Sequence, residues 1–247
     1  MRAAHVRMAG FFMLVFFGLP AISPTASADP PAFENLSLIK ATLRHYVQSG
    51  DYGRDIAAVV GEAEAYLSAR VAKTDAQSQG KLAIVLDIDD TALSTWANLS
   101  ANDFGLIKSG PCDLPRGPCG WPAWQALGEA PAIEPTLALW QQARRLGLAV
   151  FFISGRGEKY REATARNLRS SGYADWDSLI LRAPRTHDRS ATHTHDRSAA
   201  DFKAPARREL VQQGYVIVLN MGDQESDLAG GYAERTFKLP NPFYLIP

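Results

Sequence analysis

The chain has 247 residues, with 26 lysines and arginines against 26 aspartates and glutamates, so its formal net charge is zero. That balance excludes a global field for nucleic acid or an acidic membrane surface, and any anionic ligand must be held by local groups. Its two cysteines, Cys112 and Cys119, lack the close pairs of a cysteine metal site.

Arg2 and Arg7 precede or flank an apolar stretch, "MAGFFMLVFFGLPAI", and Ala26-Ser27-Ala28 offers small residues for cleavage ahead of Asp29. This is the order of parts in a secretory signal peptide, assigned to residues 1–28. The apolar core is shorter than the ~20 residues that a spanning helix needs. The expectation is export, to a periplasm or the medium, of a domain over residues 29–247 with no stable membrane association.

Residues 34–73 carry apolar positions at threes and fours and predict two helices, broken at "SGDYG". Four short apolar runs follow, "LAIVLDIDDT", "LAVFFISGRG", "DSLILR" and "YVIVLNMGDQ", with helical patterns such as "EPTLALWQQARRLG" between them. The alternation predicts an α/β fold, a parallel sheet with helices on both faces. Such sheets bind ligands at the carboxyl ends of their strands. Three of the runs end in Asp87 and Asp89, in Ser154, and in Asp223.

Two regions break the rhythm. Residues 95–133 hold both cysteines and Trp96, Phe104, Trp121 and Trp124, and predict a small lid inserted after the first strand. In an exported protein the two cysteines are expected to form a disulfide. The aromatics either stack on an aromatic leaving group or form the lid's own core. In the second region, "THDRSA" occurs at 186–191 and again at 194–199, bringing His187, His193 and His195. A repeated polar segment without an apolar face predicts a loop, and the histidine spacing is a weak metal signal.

The acids carry the chemistry. Residues two apart on an extended chain face the same way, so Asp87 and Asp89 are expected to meet one ligand. Like charges this close call for a cation, and magnesium takes oxygen ligands while tolerating few carboxylates. Asp223 and Asp227 form a second acidic cluster after another strand, and Lys203 supplies a cation for phosphate. The set suits phosphoryl transfer, in which an aspartate attacks phosphorus and a second aspartate moves the proton.

These residues resemble the haloacid dehalogenase superfamily, whose motifs are matched by "DIDDT", by Ser154 in "FFISGR", by Lys203 in "FKAPARREL" and by "GDQESD". The resemblance narrows to secreted acid phosphatases with four catalytic aspartates, the class B-like and plant vegetative-storage-type enzymes. It is supported by "SGDYGRDIAAVVGEAEAYL", "REATARNLRSSGYADWDSLILR" and "RTFKLPNPFYLIP". It implies a Rossmann-like sheet with Asp87 as nucleophile and Asp89 as acid/base, whose backbone carbonyl also faces magnesium. Thr91 would orient that acid beside the phosphate. Ser154, the Gly155 amide and Lys203 would hold phosphate oxygens, and Arg156 would approach substrate. Asp223, supported by Asp227, would complete the Mg2+ site. The implied activity is hydrolysis of small-molecule phosphate monoesters, not of a nucleic-acid polymer. The alternatives are a phosphotransferase or nucleotidase on the same fold, and a storage or binding protein.

Overall fold

The structure, a computed structural model, describes residues 34–74, 81–184 and 199–246. The expected signal peptide and the three histidines of the duplicated segment lie outside the described residues. Helix α1 (Leu36–Gln48) and helix α2 (Asp51–Val71) match the two expected from the sequence. They meet at Gly50, whose φ of 80° is the left-handed turn that glycine adopts without a Cβ penalty. Helix α2 buries Tyr52, Ile56, Val60, Ala63, Leu67 and Val71, a stripe at spacings of three and four.

Five strands follow: β1 (Leu82–Leu86), β2 (Ala149–Gly157), β3 (Ser178–Arg182), β4 (Val216–Gly222) and β5 (Arg235–Lys238). All neighbours pair in parallel, in the order β3-β2-β1-β4-β5. The fifth strand was not among the four expected from the sequence. It has four residues and only Phe237 is buried, so it offers no apolar run to read. Between the strands lie α3 (Trp96–Ala101), α4 (Trp121–Leu127), α5 (Glu134–Arg145), α6 (Arg161–Ser170), α7 (Ala199–Gln212) and α8 (Glu225–Leu228).

Every residue of β1 is buried, and its period of two divides it between two cores. Leu82, Ile84 and Leu86 join the core that contains the α2 stripe and Leu139 of α5. Ala83 and Val85 join Phe151, Ile153, and Ala206 and Leu210 of α7. A strand covered on both faces reads as a continuous apolar run, which is why β1 is so plain in the sequence. Among the described residues no helix is long and apolar enough to cross a membrane.

Chain order gives the sheet its site. The path steps from β1 to β2 to β3 on one side, then returns to lay β4 and β5 on the other. The carboxyl ends of β1 and β4 therefore flank a topological switch point. Leu86 is in register with Phe152 and with Met221, and Asp87 N–H donates to Met221 O at 3.0 Å. The residues just past these positions are the acids and Ser154.

Residues 95–133 carry α3 and α4, and within them the expected Cys112–Cys119 disulfide closes a short loop, at a sequence separation of 7. Asn98 and Asn102 both donate side-chain amides to Cys119 O, at 3.0 and 2.8 Å. Trp121 N–H donates to Ile107 O at 2.7 Å, which ties the start of α4 to the loop beyond Phe104.

Candidate active site

A cavity of about 400 Å³ opens at the carboxyl ends of β1, β2 and β4. Asp87, Asp89, Ser154, Lys203, Asp223 and Asp227 all line it, so the expected residues from four separate stretches meet in one place. Lys203, on α7, is buried and bridges two acids: its Nζ donates to Asp87 Oδ1 and, at 2.6 Å, to Asp227 Oδ1. Burial alone would lower the lysine's pKa, but Asp87 and Asp227 outweigh it and hold the ammonium charged. One turn along α7, Arg207 donates to the backbone carbonyls of Asp227, Ala229 and Gly231 and fixes the loop that presents Asp227. Gly222 is needed because Asp227 lies against it: a Cβ there would sit 2.4 Å from the Asp227 Cβ.

The two aspartates of the opening motif do not share a partner. Asp87 pairs with Lys203, whereas Asp89 is clamped by Arg156, whose Nη2 lies 2.7 Å from Oδ1 and whose Nε lies 3.0 Å from Oδ2. The strand ends at Leu86, before both aspartates, so the same-side rule for extended chain does not apply to them. Arg156 lines the cavity, with its guanidinium committed to Asp89 and, at 3.3 Å, to Thr164. Ser154 is buried beneath it and accepts from Arg156 N–H at 3.2 Å, while Gly155 is exposed at the rim.

Thr91 departs from expectation. It is fully buried and does not line the cavity, and its hydroxyl donates to Asp223 Oδ1 at 3.3 Å rather than to Asp89 or toward the phosphate position. Of the four aromatics, Phe104 and Trp121 reach the cavity wall and Trp96 and Trp124 do not. Trp96 packs with Phe104 and Phe243 at centroid distances of 6.0 and 5.5 Å.

Several working residues escaped the sequence reading. Asp90 is buried, accepts from Thr95 N–H at 2.8 Å, from the Thr95 hydroxyl and from the Tyr244 hydroxyl at 2.8 Å, and serves to shape the loop after β1. Burial raises its carboxyl to about 6 against those donors. Gln224 and Asn241 hold Asp223 Oδ2 at 2.7 and 2.6 Å. Asp90 was visible as the third acid of the motif; Gln224 and Asn241 are neutral amides in loops, and nothing in their spacing marks them.

Asp87, Asp223 and Asp227 each offer an oxygen, and these oxygens lie within 4.8 Å of one another. The Asp89 carboxylate is not in this group; the resemblance assigns it a backbone oxygen instead. Burial pushes Asp87 well above the usual carboxylate range, opposed by Lys203 and reinforced by Asp227 and Asp223. Burial, Asp227 and Asp90 push Asp223 up to about 7, against the amides of Gln224 and Asn241. Three buried carboxylates with one lysine leave an excess of negative charge that a small divalent cation would neutralise. An all-oxygen donor set is what a hard ion such as Mg2+ accepts.

Acids at the switch point of a doubly covered parallel sheet, with a buried lysine bridging them, define a phosphoryl-transfer enzyme of the haloacid dehalogenase type. A family model described as HAD superfamily, subfamily IIIB (Acid phosphatase) matches residues 32–247, and the chain belongs to that family. It is 34% identical over 205 residues to Acid phosphatase 1 of Solanum lycopersicum, covering 83% of this chain and 73% of that protein. It is 31% identical over 219 residues to Vegetative storage protein 1 of Arabidopsis thaliana, covering 86% and 74%. The class C acid phosphatase from Bacillus anthracis shares the fold, with a TM-score of 0.61 at 23% identity, covering 85% of this chain and 86% of that one. The protein is a phosphomonoesterase by membership of this family.

Proposed function

We propose that the protein is an exported, magnesium-dependent acid phosphatase that hydrolyses phosphate monoesters through an aspartyl phosphate on Asp87. The observation that carries this reading is Lys203 Nζ joining Asp87 and Asp227 at the floor of the cavity. Asp87 attacks phosphorus with a carboxylate oxygen while the bond to the ester oxygen breaks. Arg156 clamps Asp89 at the wall as a carboxylate; in the reaction Asp89 leaves that clamp, takes up a proton from solvent and gives it to the departing oxygen, and later takes one from the water that attacks the aspartyl phosphate. That second attack releases inorganic phosphate and restores the Asp87 carboxylate. Lys203, Ser154 and the Gly155 amide would hold the equatorial oxygens, where the negative charge of the transition state gathers. Asp87, Asp223 and Asp227, with the Asp89 carbonyl, would hold Mg2+, which when bound supplies positive charge to the phosphoryl group and brings the carboxylates together.

Beyond the acids the cavity wall is largely apolar, with Leu99, Phe104, Leu106, Trp121, Leu245 and Ile246 along it and Thr95, Asn98, Arg182, Gln224 and Tyr244 as polar members. This favours leaving groups with an aromatic or apolar body over small polyols. A nucleoside monophosphate should accordingly outrank glycerol phosphate in kcat/KM, and equal values would remove the stacking role of Phe104 and Trp121.

The primary test is hydrolysis of p-nitrophenyl phosphate with magnesium, with a chelator, and by Asp87→Asn. Asp87→Asn should lower kcat by at least about 10⁴-fold, because no other group replaces the nucleophile. Activity surviving in that variant overturns the assignment. A folded wild-type protein inactive under every condition favours the storage reading that the Arabidopsis thaliana relative's name suggests. Export would show as a mature protein beginning at Asp29, determined by N-terminal sequencing.

A further inference from the structure

The segment that follows β5 is bound into the acid cluster by two amide side chains. Gln224 donates Nε2 to Asp223 Oδ2 at 2.7 Å and accepts on Oε1 from the Ile246 N–H at 2.9 Å. Asn241 donates Nδ2 to the same Asp223 oxygen at 2.6 Å and accepts on Oδ1 from the Phe243 N–H at 2.9 Å. A backbone N–H can pair only with the carbonyl end of an amide, so both NH₂ groups are compelled to face the carboxylate. The segment's own backbone thus sets which way the two amides point.

The segment is anchored independently of these bonds. Leu239 N–H donates to Gly222 O at 2.9 Å, continuing the pairing of β5 against β4, and the Ser226 hydroxyl donates to Ile246 O at 3.0 Å. Phe243 is buried with its ring 5.1 Å from Tyr52, 5.5 Å from Trp96 and 6.2 Å from Phe104. Aromatics of α2 and of the insertion therefore fasten the strap that carries Asn241.

We propose that Asn241 and Gln224 are positioning residues that saturate Asp223 Oδ2 and leave Oδ1 for a divalent ion, with residues 239–246 acting as the strap that aims them. The inference rests on the metal reading given above. Neutral amides suit this task because they fix a carboxylate with two short hydrogen bonds without cancelling the charge an ion needs; a lysine or arginine would compete with the ion. Among the described residues Asp223 Oδ1 accepts only the long bond from Thr91, at 3.3 Å.

The test is magnesium binding by calorimetry, without substrate, to wild type, Asn241→Ala and Gln224→Met. It is read beside the half-activating magnesium concentration, kcat at saturating magnesium, and the melting temperature in chelator. Each variant should bind magnesium about 10- to 100-fold more weakly and raise the half-activating concentration by the same factor, with most of kcat regained at saturation. Wild-type affinity in both variants overturns the proposal. So does a loss of kcat that magnesium does not repair and that tracks a fall in melting temperature in chelator, since that is a structural role. Gln224→Met carries the test by itself if Asn241→Ala does not fold. A wild-type protein that binds no magnesium overturns the metal reading and this inference with it, an outcome visible before any variant is made.

Discussion

Two clusters of three charges in this molecule are mirror images. At the site, one cation, Lys203, reaches two acids, Asp87 and Asp227. On the surface, one acid, Asp103, reaches two cations, Lys40 and Arg44, both at 2.6 Å. The contacts have similar lengths, but the site's side chains are 5–7% exposed and the surface ones 24–59%. Distance is therefore a poor guide to what such contacts do. In the surface cluster water and salt screen each charge, and losing one costs little. In the buried cluster each charge has given up its hydration, and losing one strands the rest.

The largest contrast between the clusters is expected from Lys203→Met. Removing the lysine leaves Asp87 and Asp227 buried side by side, which should cost about 3–5 kcal/mol in urea unfolding. The same change removes the proposed phosphate donor and should lower kcat/KM by about 10²–10³-fold. A variant as stable as wild type would mean the acids are relieved by water, and the cluster is wetter than its burial indicates.

Removing divalent ions should act on the buried cluster alone. At a concentration 100 times its Kd, magnesium should stabilise the protein by about 2.7 kcal/mol, seen as a higher melting temperature than in chelator. The shift should persist in a surface variant such as Asp103→Asn and shrink in Asp223→Asn. An equal shift in Asp223→Asn would place the ion elsewhere.

The same contrast explains what could be read in advance. Strands β1, β2 and β4 are plain in the sequence because burial on both faces demands unbroken apolar runs, and the acids are plain because they follow those runs directly. Strand β5 is not, since three of its four residues face solvent. Partnerships are the harder part. Asp87 and Asp89 differ by two in number, yet their cations lie 116 and 67 residues away and on different elements. Spacing places a residue at a strand end; the register of the sheet and the path of the chain beyond Leu86 decide which cation it meets. Thr91 shows the same limit, because the turn at Asp90 carries its hydroxyl to Asp223 rather than to Asp89.

The smallest effect is expected from Asp103→Asn. Hydrogen bonds from Lys40 and Arg44 hold the Asp103 carboxyl below its usual range, so whatever stability they lend is complete above about pH 4 and fades as pH falls through the lowered value. Wild type and variant should therefore differ by a constant, small amount at neutral pH and converge in acid, with added salt shrinking the neutral difference further. Arg44 also lies over the Phe104 ring, 5.1 Å from its centroid, and that contact does not need the carboxylate. The cavity wall should accordingly stand, and kcat/KM for an aromatic phosphate should be unchanged. If Asp103→Asn instead costs as much stability as Lys203→Met, contact length rather than burial governs these clusters. If it spares stability but lowers kcat/KM, the surface acid steadies Phe104 through Arg44, and the insertion's outer face belongs to substrate recognition.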